Sequence, residues 1–124
     1  MILNSWITKM RDAMYAGGTV TSLDYVSIGS GENSAKKTDT GLETFIENKL
    51  AVKTAIGIDR TSYMAEWDYG EGNGNTISEA GLSTVIIPDP SDVYGSRKVF
   101  PKIIKNNTFK LRITIYTKVE DNSR

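Results

Sequence analysis

The acid–base chemistry open to this sequence is that of carboxylates, because its 124 residues include no histidine and no cysteine. Glu66 and Asp68 stand two apart in a run of strand-like spacing, which sets them on one face about 7 Å from each other, and Glu71 and Glu79 follow. Two carboxylates roughly 5–10 Å apart are the machinery of glycoside hydrolysis. That reaction needs one of them shielded so that its pKa rises, and nothing in the pattern buries Glu66 or Asp68. They read as the wet face of an amphipathic strand, so no catalytic residue and no enzyme is expected. Disulfides, thiolate nucleophiles, histidine-based triads and Cys/His zinc sites are excluded by composition. Asp89, Ser91 and Asp92, or Asp24 with Glu32, offer oxygens suited to calcium, but the several ligands of an EF-hand loop are missing; no metal and no cofactor is expected.

Two glycine-rich stretches invite a phosphate-binding reading. Gly29-Ser30-Gly31 opens like a dinucleotide loop, yet no third glycine follows at the required spacing and the next segment is polar rather than a helix start. Gly70-Glu71-Gly72-Asn73-Gly74 lacks the lysine and the helix of a P-loop and reads as a hairpin connection. Tyr63, Trp67 and Tyr69 share one parity and would stack on sugars if exposed, but the same spacing is that of a sandwich core, where large aromatics belong. Asn106-Asn107-Thr108 is formally a glycosylation sequon and reads as a turn.

The elements that would carry these residues follow from periodicity. Leu3, Trp6, Ile7, Met10, Ala13 and Met14 recur at three- and four-residue steps, which predicts an amphipathic helix over 1–16, capped by Asn4 or Ser5 and ended by Gly17-Gly18. Leu23 to Ile28 reads as a strand, Gly31 to Thr40 as a loop, and Leu42 to Leu50 as a short helix or packed turn. Val52, Thr54, Ile56 and Ile58 alternate with polar or small residues, as do Tyr63, Ala65, Trp67 and Tyr69. Two strands with one face buried and one wet are expected, joined by a turn at Asp59-Arg60-Thr61-Ser62. An apolar run over 76–88 is broken by Pro88-Asp89-Pro90, and Pro101 within Val99–Ile104 suits an edge strand or a bulge. Phe109, Leu111, Ile113 and Ile115 should face a core with Lys110, Arg112 and Thr114 outward, and Glu120 to Arg124 should fray.

This amounts to a mainly β fold: an antiparallel β-sandwich, jelly-roll-like forms included, with an N-terminal α-helix. The expected divisions are a helix or arm over 1–18, a sandwich domain over 19–119 and a flexible tail over 120–124. Fifteen basic and fifteen acidic residues cancel, so no global field favours nucleic acid or an anionic membrane, and neither is expected as a partner. No apolar run approaches the roughly 20 residues of a membrane span. Asn4, Ser5 and Thr8 interrupt the plan of a signal peptide.

Four stretches in order form a recognisable set. Tyr25-Val26-Ser27-Ile28-Gly29-Ser30-Gly31 resembles a "YIAxGTG" opening, and Thr38-Asp39-Thr40-Gly41-Leu42-Glu43 a "DTALxxE" step. Asn73 to Leu82 resembles "ANGTIxExGLF", and Arg97 to Phe100, Lys105 and the Phe109–Ile115 strand resemble an "ARxxF…K…LxVxWxI" ending. Over roughly residues 23–118 the chain is similar to small structural proteins of tailed phages and prophages, usually associated with the tail or fibres. Ser83 replaces the aromatic that closes the third motif, Tyr116 follows where Trp is frequent, and the helix with Trp6 lies outside the motifs. The resemblance implies a virion protein, made in the host cytoplasm, that works through contacts with identical copies and with other virion proteins. Its variants are a capsid decoration protein and a carbohydrate-binding fibre module. Within the third motif, Glu79 is placed to accept hydrogen bonds from Arg97 or from loop amides. Two readings of the helical stripe remain: Leu3, Trp6, Met10 and Met14 either close this chain's own core or form the interface to a neighbouring subunit.

Overall fold

The computed structural model describes residues 2–17, 22–84 and 94–118. Within them lie one helix, α1 (Asn4–Ala16), and seven strands: β1 (Tyr25–Gly29), β2 (Phe45–Leu50), β3 (Val52–Ile56), β4 (Arg60–Trp67), β5 (Thr76–Ser83), β6 (Tyr94–Ile104) and β7 (Leu111–Lys118). The strands form two antiparallel sheets, ordered β2-β1-β5-β6 and β3-β4-β7, and the fold is a β-sandwich with an N-terminal helix. Among the described residues the division is four strands and three. The apolar run at 85–88, the break at Pro88–Asp92, Gly18 and the tail lie outside the described residues.

Alternation builds the core. Val26, Ile28, Ile77, Ala80 and Leu82 from the larger sheet meet Ala65, Trp67 and Leu111 from the smaller, with Tyr63, Ile113 and Ile115 packed behind them. Trp67 has no exposed surface, as its parity predicted. Leu111, Ile113 and Ile115 face inward while Arg112 and Thr114 face out, although Phe109 precedes the strand. Pro101 sits on β6, an edge strand, where a missing N–H costs no ladder bond.

The helix ends at Gly17, whose φ of 72° is left-handed and suits glycine. Its start corrects the predicted caps: neither Asn4 nor Ser5 is the N-cap. That position falls to Leu3, which is extended and has no side-chain hydrogen bond, because the carbonyl of Lys37 accepts the Asn4 N–H at 2.8 Å and does the capping from another segment. Ile2 bridges Ser96 at the free edge of β6, and Leu3 N–H donates to Gly95 O at 3.0 Å.

Three further expectations are corrected. Phe45–Leu50 is a strand rather than a helix, because its backbone completes a ladder with β1 from Tyr25↔Leu50 to Gly29↔Phe45, and a nine-residue window of mixed period cannot outweigh that pairing. The turn falls on Gly57-Ile58-Asp59, so Arg60, Thr61 and Ser62 already belong to β4. In β3 the apolar parity points outward: Val52 pairs with Met64 and is 60% exposed, while Lys53 pairs with Tyr63 on the inner side and reaches Asp24 at 2.6 Å. The cause is the single residue Ala51 between β2 and β3, which carries the chain from one sheet to the other and fixes the register.

Candidate functional site

Gly31, Asp39, Glu43 and Glu79 from the first three motifs meet Arg97 of the fourth between the outer face of the four-stranded sheet and the loop 30–44. Glu79 points out from β5 toward that loop and is fully buried. One carboxylate oxygen, Oε2, accepts the N–H groups of Gly31 at 2.6 Å and Thr44 at 2.8 Å. The other, Oε1, accepts the N–H of Glu43 at 2.8 Å and Nε of Arg97 at 2.9 Å. Arg97 lies on β6 opposite Gly81, 2% exposed, and its other nitrogens donate to Asp39 Oδ2 at 3.0 Å and to the carbonyl of Asn33 at 2.9 Å. Burial alone would depress the Arg97 pKa; the carboxylates of Glu79 and then Asp39 outweigh it and hold the guanidinium above its ordinary value.

The glycines of the first motif acquire a steric reason here. A Cβ on Gly29 would strike the carbonyl oxygen of Thr44 and lie 2.7 Å from Glu79 Oε2, and one on Gly31 would strike the same carboxylate. Gly29-Ser30-Gly31 is therefore a cradle for a carboxylate of its own chain. Ser78 Oγ donates to Gly31 O at 2.8 Å, and Ser27 and Ser83 share a buried hydroxyl contact at 2.9 Å on the same sheet. A carboxylate that takes four charge-assisted or amide hydrogen bonds has its lone pairs committed, and what this arrangement does is pin a loop to a sheet.

A second polar anchor holds the opposite end. Lys105 is fully buried, and its ammonium donates to Asp68 O at 3.0 Å, Asn73 Oδ1 at 2.9 Å and Asn106 O at 2.9 Å, with the Phe109 ring 5.4 Å away. It ties the glycine-rich loop 68–75 to the turn before β7. That turn is closed by Asn106, whose Oδ1 accepts the Thr108 N–H at 2.9 Å, as the expected turn requires. Periodicity gave no sign that Lys105 would be buried, since a lysine before Asn-Asn reads as solvated.

The remaining candidates separate. Glu66 binds Arg112 at 2.9 Å, Asp68 lies 3.9 Å from Lys110, and Glu71 binds Lys49 at 2.5 Å, all on the surface and apart from Glu79 on the other sheet. The Lys49 ammonium and then the Asp68 N–H hold Glu71 below its ordinary pKa. Lys53 and then Ser22 do the same for Asp24, and Glu32 pairs with Lys102 at 3.3 Å. Asp89, Ser91 and Asp92 lie outside the described residues, among which no cluster of three acidic side chains is spaced to hold a metal. The aromatic trio splits: Trp67 is buried, Tyr63 packs on the core, and Tyr69 is half exposed in a loop. The helical stripe splits too. Leu3 and Trp6 close this chain's own core, while Met10 and Met14 are 40% and 85% exposed beside Ile7 and Tyr15.

Comparison with protein-family models, with curated proteins and with solved structures gives no match for this chain.

Proposed function

We propose that this protein is a structural component of a tailed-bacteriophage particle, associated with tail, fibre or baseplate, and that it acts through contacts between subunits rather than through catalysis. The observation that carries the reading is the convergence of the motif residues on one internal knot. Gly29, Gly31, Asp39, Glu43, Glu79 and Arg97 bear the resemblance, and all of them are spent on holding the sandwich together. A motif of that kind maintains a scaffold, and its work is done by the surfaces the scaffold presents. Those surfaces include apolar side chains a solitary protein has little use for, among them Met14 and Tyr15 on α1 and Val52 and Tyr116 on the smaller sheet.

The test is to purify phage or induced prophage particles that encode the chain, detect it by mass spectrometry, and locate it with gold-labelled antibody. Label on the tail or its fibres is the expected result. Label over the head would make it a capsid decoration protein. Its absence from intact particles would overturn the virion reading altogether.

A further inference from the structure

The two sheets of the sandwich are unequal. β1 and β2 of the larger sheet lie against β4, and β5 lies against β7, which leaves β6, the next strand, beyond the edge of the smaller sheet. Beside the free edge of β7 and beneath β6 runs a cleft of about 310 Å³, lined by Ala80, Ser96, Lys98 and β7 from Thr114 to Thr117. Ser96 and Lys98 pair with Leu82 and Ala80 of the core, so both stand on the inner side of β6. Lys98 is exposed there and has no carboxylate partner among the described residues.

A sheet edge presents unpaired N–H and C=O groups, and folds guard it against stray pairing with prolines, bulges and charges turned inward. Among the described strands, three of the four edges carry such guards. β2 turns Glu47 and Lys49 inward, opposite Ile28 and Val26. β3 turns Lys53 inward, tied to Asp24. β6 holds Pro101, shifts register twice against β5 and bridges Ile2 at Ser96. β7 has none of these. It keeps one register with β4 from Arg60↔Lys118 to Trp67↔Leu111, and its inward positions are the uncharged Leu111, Ile113, Ile115 and Thr117.

The overhang of β6 selects what can fill the cleft. Two copies pairing β7 to β7 antiparallel would keep both larger sheets on the same side, and the β6 of each would fall where the β5 of the other lies. A single extended strand meets no such clash: it adds its backbone to β7, passes under β6 and gives the smaller sheet a fourth strand. Among the described residues every strand of a copy is already paired within its own sheets, which points to a different protein as donor. We propose that the β7 edge accepts an extended segment of another virion protein, paired along Thr114 to Thr117, with an acidic side chain directed at Lys98. The proposal rests on the assembly reading above and names the surface and the kind of partner it takes. Backbone pairing supplies the affinity, and alternate side chains the choice of partner.

The probe is a capped synthetic octapeptide of alternating threonine and valine with one central glutamate, titrated into the intact chain and followed by amide NMR. In the isolated chain, alternate amides between Arg112 and Thr117 should exchange rapidly with solvent, and their neighbours, bonded to β4, slowly. The peptide should slow the exchange of the first set. Lys98→Glu should weaken binding by about tenfold and reverse the preference, so that a peptide with lysine in place of glutamate becomes the better ligand. Uniform protection along β7 without peptide would show that the edge is already filled and overturn the proposal. So would a peptide that leaves these amides unaltered at millimolar concentration, or binding that Lys98→Glu does not change. A chain that takes the peptide but is missing from purified particles would retain the strand-accepting edge and overturn a virion protein as its donor. A chain found in particles whose β7 fails these tests loses this proposal and keeps the virion reading.

Discussion

On the outer side of the four-stranded sheet, a loop of the same chain lies over Glu79, Gly81 and Arg97, and the polar atoms beneath it are bonded to it one by one. On the outer side of the three-stranded sheet, Val52 and Tyr116 keep about three-fifths of their surface exposed. Burying a carboxylate and a guanidinium is costly, and the cost is met only where every lone pair and N–H finds a partner at hydrogen-bonding distance. A covered polar face must therefore be complete within the chain. A bare apolar face can be completed by something else, since apolar burial is non-directional and asks only for area.

The contrast can be broken most decisively at Glu79. Glu79→Ala leaves Arg97 buried without its main partner and three loop amides without an acceptor, and should cost about 3–5 kcal/mol in urea unfolding. A loss below 1 kcal/mol would mean that the loop is held by other means. Gly29→Ala comes next: the added methyl meets the Thr44 carbonyl, a backbone atom that cannot turn aside, and a destabilisation of about 1–3 kcal/mol is expected by the same measurement. On the bare face, Tyr116→Ser should leave the stability of the monomer within about 0.5 kcal/mol of wild type. A larger loss would show that this face is already completed within the chain. The smallest effect concerns pH. The folded pKa values of Asp24 and Glu71 are depressed, so their contribution is present above the unfolded values and is lost as pH falls through the folded ones, between about pH 5 and pH 1. In the double variant Asp24→Asn, Glu71→Gln, melting temperatures followed by circular dichroism should fall less steeply over that range than in wild type.

The legibility of these two faces differed as well. Glu79, with Arg97 and the loop amides as its donors, was readable because a lone acid between Ile77 and Leu82, in a run otherwise destined for the core, needs donors wherever it goes. Nothing in the sequence signalled that the glycines of the first motif cradle a carboxylate, since that use depends on residues 79 and 44 arriving from elsewhere. Val52 and Ile56 were expected to alternate with a wet face, and alternation alone is blind to which side is inward. In β4 and β7 the larger side chains decided the side; in β3, Lys53 tethered to Asp24 and the one-residue crossing at Ala51 decided it the other way.

By itself the sequence determined the fold class, the inward parity of β4 and β7, the edge position of Pro101, the glycine end of α1 and the exclusion of thiol and imidazole chemistry, because each follows from local period or from residue type. Tertiary structure alone decided that Phe45–Leu50 is a strand, that Lys37 caps the helix, that Lys105 is buried, and that only the first turn of the apolar stripe, Leu3 and Trp6, enters the core while Met10 and Met14 stay partly outside. These outcomes depend on backbone groups and surfaces brought together from distant parts of the chain, and local spacing holds no record of what arrives opposite a residue.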